Sequence, residues 1–259
     1  MTLDFNHRPS MGERINDLVD AALIDERDNE TPRTYLGASR LGVACDRALQ
    51  FEFAQAPKDD GGDFSGQVLR IFEIGHRLED LAIRWLRAAG IDLVTQKPDD
   101  GSQRRRRQFG FSVAGGRIRG HVDGIVMGAP AALGLRTPAL WECKTMNAKN
   151  WRACVKDGVA ISKPVYAAQI AIYQAYMEPV VPGISAAPAL FTAINKDTAE
   201  LYHQLVPFDA ALAQRMSDRA VRILQATDAG DLLPRIAQSR DFFECRFCAY
   251  ADRCWRQDY

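Results

Sequence analysis

The spacing of apolar residues changes between the helical and the extended period several times, and this alternation constrains the fold more than any other feature. Helical spacing predicts helices at 67–89 and 164–177, and alternation predicts strands at 109–113, 118–127, 139–146, 189–194 and 200–206. Helical spacing also predicts helices at 10–27 and 210–224, with Ser39 capping a short helix that runs through 45–53. This order predicts an α/β protein with a mixed sheet flanked by helices.

Composition limits the classes of function. The 259 residues include 47% apolar residues, and 33 basic side chains balance 33 acidic ones, so any nucleic-acid contact must be local. No apolar run is long enough for a membrane span, and the N-terminus lacks the apolar region of a signal peptide. We therefore expect a cytoplasmic protein whose six cysteines serve as metal ligands, catalytic groups or core residues rather than disulfides.

Two predicted strands carry an acid-acid-lysine set. A side-chain period of two places His121 and Asp123 on one face of the first strand. The same period places Glu142 and Lys144 together on the second strand and directs Cys143 away from them. If the strands are neighbours, the carboxylates and the amine converge in a site suited to Mg²⁺ or Mn²⁺, where the lysine orients or deprotonates a water.

Each part of this pattern also has a purely structural interpretation. Asp123-Gly124 is typical of a hairpin turn, and Glu-x-Lys occurs by chance. A histidine such as His76 in a helix is more often a core or surface group than a ligand, and Glu79 on the same face is a supporting partner or a solvated charge. A run of four arginines, 104–107, is a phosphate-contact site or a solvated loop.

A second pattern brings three cysteines into ten residues near the C-terminus. Cys245, Cys248 and Cys254 are close enough in sequence to share a metal, and a fourth ligand must come from elsewhere. The candidates are Cys45, Cys143 and Cys154. Cys45 is favoured because chain ends often lie close together. The spacing favours an iron-sulfur cluster, with structural zinc as the alternative.

The acidic motifs, taken with the segments around them, resemble the PD-(D/E)xK nuclease superfamily and, within it, the RecB-like exonucleases. The residues that carry the resemblance are Gly75-His76, Asp123-Gly124, Glu142-Cys-Lys144 and the helix segment from Gln169 to Tyr173. The resemblance implies that a catalytic metal is held by His76, Asp123, Glu142 and the backbone carbonyl of Cys143. It also implies that Lys144 serves the attacking water, and that Gln169 and Tyr173 support the lysine and the DNA strand, although core packing alone would explain both.

One early and three late cysteines resemble the iron-sulfur exonucleases, namely the CRISPR-associated Cas-four type and related phage and AddB-like proteins. The resemblance implies a [4Fe-4S] cluster on Cys45, Cys245, Cys248 and Cys254. It implies one nuclease domain over 1–259, with a restriction-endonuclease-like catalytic core at about 61–207 and a cluster-bearing part formed by 31–60 and 208–259.

The expected activity is metal-dependent exonuclease cleavage of DNA at linear ends or in single strands. The expected setting is DNA end processing, recombination or CRISPR spacer acquisition, with recombination or CRISPR adaptation proteins as partners and no membrane. Two alternatives stay open: a non-catalytic DNA-end-binding or adaptor protein that keeps the fold, and a zinc-ribbon protein with coincidental acidic motifs.

Overall fold

The computed structural model describes residues 8–97 and 108–256, which form an α/β arrangement of two mixed sheets flanked by helices. The arginine run 104–107 lies outside the described residues. The helices are α1 (Met11–Asp28), α2 (Asp46–Phe53), α3 (Gly66–Ala88), α4 (Ala148–Ser162), α5 (Pro164–Met177), α6 (Ala210–Ala229), α7 (Phe243–Arg246) and α8 (Ala251–Arg256). The strands are β1 (Leu36–Gly37), β2 (Asp92–Val94), β3 (Gly110–Val113), β4 (Ile118–His121), β5 (Gly124–Gly128), β6 (Ala139–Met146), β7 (Ala189–Asn195) and β8 (Leu201–Val206).

The larger sheet has the strand order β2-β5-β6-β7-β8. β6 and β7 are parallel, whereas the other neighbouring pairs are antiparallel. A parallel pair needs a long crossover connection, which α4 and α5 supply here. β7 is buried at all seven positions, as expected for a strand covered on both faces.

Strand β6 presents opposite faces to two different helices. Cys143 belongs to the same buried cluster as Ala82 and Leu86 of α3. Leu140 belongs to the other cluster, together with Ile170 of α5. Since side chains alternate along a strand, Glu142 and Lys144 face α5. This arrangement positions the candidate site between β6 and α5.

The prediction of one continuous strand over 118–127 is wrong. β4 pairs with β3 and β1 in a three-stranded sheet, whereas β5 pairs with β2 and β6 in the larger sheet. The chain therefore passes from one sheet to the other at Val122 and Asp123. Val122 stays bound to the small sheet, because its N–H donates to the Phe109 carbonyl at 3.0 Å.

The predicted capping role of Ser39 is also wrong. Ser39 lies inside a short 3₁₀ turn, and α2 begins seven residues later with Cys45 at its N-cap. The chain turns tightly between the two because Gly42 lies directly against α5. A Cβ atom at Gly42 would be 2.7 Å from the Cα atom of Val165.

The two ends of the chain are joined through buried polar contacts. Gln50 is 3% exposed, and its side-chain Nε2 donates to the Asp231 carbonyl at 2.6 Å. Its Oε1 accepts from the Leu233 N–H at 2.9 Å. The Asp59 carboxylate accepts from the N–H of Arg253 at 3.0 Å, at the start of α8. These contacts place Cys45 beside the C-terminal segment.

Across the described ranges, no helix combines the length and the apolar character that crossing a membrane requires.

Candidate active site

Asp123 lies where the two predicted acidic strands meet. Gly124 pairs with Trp141, which makes β5 and β6 neighbours, the condition under which the sequence brings the carboxylates and the amine together. The N–H of Cys143 donates to Asp123 Oδ2 at 2.8 Å. The break between β4 and β5 therefore fixes the Asp123 carboxylate against the backbone of β6, one residue from Glu142.

Glu142 is completely buried, and its two carboxylate oxygens have different surroundings. Oε1 accepts from Gln169 Nε2 at 2.6 Å and also from Lys144 Nζ. Oε2 has no hydrogen-bond partner among the described residues. A buried acceptor left without a partner costs free energy, and a cation beside it would remove that cost.

α5 supplies the groups that face Glu142 and Lys144. Gln169 donates to the same Glu142 carboxylate oxygen as Lys144, and its predicted support of the lysine and the DNA strand stays a prediction. The Lys144 ammonium lies over the ring of Tyr166, 5.4 Å from its centroid. Sequence reasoning missed Tyr166 as a site residue, although its position three residues before Gln169 places it on the same face of the helix.

Tyr173 is placed differently from Gln169. Its side chain is 3% exposed and packs edge-on against Phe111, with ring centroids 5.4 Å apart. Burial, and after it the charge of Glu142, raises the pKa of the Tyr173 hydroxyl. The side chain thus contributes to the core as well as to the field of the site.

Burial and mutual repulsion dominate the electrostatics of the acidic groups. Burial first, and the neighbouring Asp123 second, raise the pKa of Glu142 to about 8. Burial also raises the pKa of Asp123, while Lys144, the Cys143 N–H and the charge of His76 partly oppose the rise. Burial and then Asp123 raise the pKa of Glu79 to about 7. His76 and Glu79, both on α3, therefore lie within electrostatic reach of Asp123.

Lys144 is held as an ammonium. Burial alone would lower its pKa, but the charges of Glu142 and Asp123 outweigh burial and raise it. A lysine with a raised pKa is a poor base. The arrangement favours orientation of a water and stabilisation of negative charge over removal of a proton.

The carboxylates of Asp123 and Glu142 and the Cys143 carbonyl suit a hard divalent cation, because oxygen donors are those that Mg²⁺ and Mn²⁺ prefer. Within residues 8–97 and 108–256, no group of three or more His, Cys, Asp or Glu side chains is gathered closely enough to hold a metal ion. The orphaned oxygen of Glu142 is the feature that fits a cation. The assignment of His76, Asp123, Glu142 and the Cys143 carbonyl as ligands stays a prediction.

The four cysteines predicted to hold a cluster are partly buried free thiols. Burial raises the pKa of Cys248, and the charges of Cys45, Cys254 and Cys245 raise it further. The four thiols therefore lie within electrostatic reach of one another. Arg47 Nη1 lies 3.7 Å from the Cys254 sulfur and donates to it.

The other two cysteines are separate from this group. Cys143 lies in the buried cluster between β6 and α3, and Cys154 lies in the core on α4. Neither contributes to the pKa of the terminal thiols. The assignment of Cys45, rather than Cys143 or Cys154, as the upstream partner stays a prediction.

Neither a family model nor a curated protein matches this sequence. Among solved structures, the protein named SSO0001 is 15% identical, covers 93% of this chain and 96% of its own, and gives a TM-score of 0.48. The alkaline exonuclease LHK-Exo from Laribacter hongkongensis is 15% identical to this chain. The match covers 83% of this chain and 93% of LHK-Exo, and its TM-score is 0.49. The structure of LHK-Exo in complex with dAMP matches with 16% sequence identity, the same coverage of both chains and a TM-score of 0.47. At TM-scores below 0.5, these similarities establish neither a shared fold nor a shared activity.

Proposed function

We propose that this chain is a divalent-metal-dependent DNA exonuclease that hydrolyses phosphodiester bonds by in-line attack of water. The observation that carries the proposal is the buried Oε2 of Glu142, which has no hydrogen-bond partner in the described part of the chain and lies in a site shared with Asp123 and the Lys144 ammonium. This arrangement suits a cation next to a phosphate better than it suits a closed protein core.

Each residue has a role in the proposed reaction. Asp123 and Glu142 would hold Mg²⁺ or Mn²⁺, with His76 and the Cys143 carbonyl completing the protein ligands. An ion held there would supply polarisation of the scissile phosphate and stabilisation of its developing charge. The Lys144 ammonium orients the attacking water and stabilises the negative charge that develops on the phosphate while the new P–O bond forms, the P–O bond to the leaving oxygen breaks and the proton of the water passes to solvent. Gln169 holds the Glu142 carboxylate in place through its 2.6 Å hydrogen bond.

We further propose a [4Fe-4S] cluster on Cys45, Cys245, Cys248 and Cys254. Cys45 and Cys254 both act on the pKa values of Cys245 and Cys248, which supports this set. The donor from Arg47 to Cys254 suits an anionic thiolate cluster. Zinc is the alternative for the same ligands.

The proposed substrate is DNA at linear ends or in single strands. The proposed setting is end processing, recombination or CRISPR spacer acquisition, with recombination or CRISPR adaptation proteins as partners. Phosphate contact by the arginines 104–107 stays a prediction.

A non-catalytic DNA-end-binding or adaptor protein is the second candidate. It is favoured by one finding, that no group of three potential ligand side chains is gathered in the described part of the chain. Cleavage itself distinguishes the two functions.

The Lys144→Ala variant tests the proposed reaction. We expect it to lose cleavage by at least about 100-fold while it still binds DNA, because the ammonium acts on the water rather than on the strand. The measurement is digestion of DNA labelled at either end, with Mn²⁺ or Mg²⁺, by anaerobically purified protein. Lys149→Ala, an exposed lysine of α4, is the matched control and should cleave normally.

Two results would contradict the proposal. The wild-type protein would show no divalent-dependent cleavage of linear single- or double-stranded DNA, or Lys144→Ala would cleave at the wild-type rate. Absence of cleavage with intact DNA binding supports the end-binding function, whereas wild-type cleavage by Lys144→Ala removes the lysine from the proposed mechanism.

A further inference from the structure

Two phenylalanines form an exposed aromatic pair at the start of α3. The side chains of Phe64 and Phe72 are 45% and 44% exposed. Their ring centroids lie 5.1 Å apart, and the planes meet at 84°. The rings thus form an open corner, in which one flat group can lie against a ring face and meet the edge of the other ring.

The pair lies close to the candidate active site. Phe72 is four residues before His76, so the two side chains lie one helical turn apart on the same face of α3. His76 in turn contributes to the electrostatic field at Asp123. The aromatic corner therefore lies one helical turn from a residue that acts electrostatically on Asp123.

A cation accompanies the rings. Lys58 Nζ lies 5.4 Å from the centroid of the Phe64 ring. It also pairs with Asp63, whose side chain is 78% exposed. An ion pair so open to water is weak, and Lys58 can exchange Asp63 for a phosphate oxygen.

We propose that Phe64 and Phe72 form a stacking platform for an unpaired base of single-stranded DNA, with Lys58 contacting its backbone. This inference rests on the proposed nuclease function and specifies its substrate as a single strand. An aromatic ring accepts any base, but only one that is not already stacked within a duplex, and a basic residue beside the ring follows the strand. The closeness to His76 and the adjacent cation favour DNA over an apolar partner surface.

The test uses a Lys144→Ala parent, so that the strand is bound without being cut. We expect Phe72→Ala to weaken binding of a fluorescein-labelled 20-nucleotide single strand by about 5- to 150-fold in fluorescence anisotropy. Phe72→Trp should restore binding, because indole also stacks. Ile71→Ala is the matched control: it is the neighbouring residue on α3, is 42% exposed and is not part of the aromatic pair. It should bind as the parent does.

A strand with abasic sites along its length separates stacking from other effects. The loss caused by Phe72→Ala should disappear on this strand, because it offers no base to the ring. A blunt duplex should likewise be insensitive to Phe72→Ala.

Several outcomes would overturn the platform. Equal binding by Phe72→Ala and the parent would do so while leaving the nuclease function intact. An equal loss on the normal and the abasic strand would assign the residue to structure instead. A dimer that dissociates on Phe72→Ala would identify a second copy as the group that covers the pair. No binding of any DNA by the parent would instead contradict the proposed function itself.

Discussion

Glu142 combines features that a purely structural carboxylate does not need. One oxygen has two donors, Gln169 and Lys144, and the other has none among the described residues. Burial and the neighbouring Asp123 keep the pKa of Glu142 at about 8. Without a cation, the site therefore retains a proton at neutral pH that a bound cation would displace.

Cation binding should depend on pH. Below about pH 8, Mn²⁺ must displace a proton from Glu142, so we expect its apparent affinity to rise by about tenfold per pH unit from pH 6 and to level off above pH 8. Calorimetry in two buffers with different ionisation enthalpies would count the released protons. Glu142→Gln should bind Mn²⁺ weakly and lose this dependence, whereas Glu26→Gln, an exposed carboxylate of α1, should retain it. An affinity that is constant from pH 6 to 8 would contradict the assignment.

At the scale of elements, the site depends on the seating of α5 against the segment that precedes α2. Gly42 lies against α5, where a Cβ atom would be 2.7 Å from Val165 Cα and 3.0 Å from Ala168 Cβ. The nearest atom belongs to the backbone of α5, so a side-chain rotation cannot relieve the contact. α5 also carries Gln169, and its displacement would move the donor away from Glu142.

Gly42→Ala should therefore destabilise the protein. We expect the free energy of unfolding to fall by about 1–3 kcal/mol in urea denaturation. Gly12→Ala is the matched control, because the nearest atom to its added Cβ is 3.9 Å away. Gly12 lies in an exposed helix, so alanine there should leave stability unchanged or raise it by up to about 1 kcal/mol. If the two variants were equally stable, α5 would be able to move away from the added Cβ atom without lowering the free energy of unfolding, which would contradict this prediction.

The sequence predicted some elements to the residue and misplaced others. β6 and α5 match the predicted 139–146 and 164–177, because each repeats its period over many residues and ends at clear breaks. The division between β4 and β5 was missed because burial still alternates through it: His121 is exposed, Val122 is buried and Asp123 is half-buried. Residues distant in the sequence decide which strands pair with β4 and which pair with β5. A local sequence pattern does not contain that information.

The candidate site shows the same limit. Alternation along one strand was enough to place Glu142 and Lys144 together and Cys143 apart. The hydrogen bond from Gln169 and the position of Tyr166 follow from how α5 crosses β6. That crossing depends on the packing of two elements, and helical spacing predicts only which residues share a face.

At the scale of the whole molecule, the N-terminal and C-terminal segments form one polar network. Gln50 binds Asp231 and Leu233, and Asp59 binds the start of α8. These bonds hold the region of Cys45 against the region of the three C-terminal cysteines. A cluster on the four thiols would strengthen the same connection.

Replacing Cys45 with serine should remove that cluster. We expect Cys45→Ser protein to lose iron and sulfide together with its brown colour, and to become less soluble, because a ligand from one end of the chain is gone. Cys154→Ser is the matched control: this thiol is fully buried on α4, apart from the four, and iron content should be unchanged. The measurement is iron and sulfide per chain after anaerobic purification. Zinc in place of iron, or iron kept by Cys45→Ser and lost by Cys154→Ser, would overturn the assignment.

The pairing of Gln50 with residues 231 and 233 also bears on how the chain is made. A ribosome adds about 5–20 residues per second, so roughly 10–40 seconds pass between the synthesis of Gln50 and that of its partners. During that interval α2 lacks both bonds that its buried amide makes in the finished protein. In the nascent chain this amide therefore lacks its native partners until residues 231 and 233 have been made, and a premature stop codon before Asp231 leaves it without either bond.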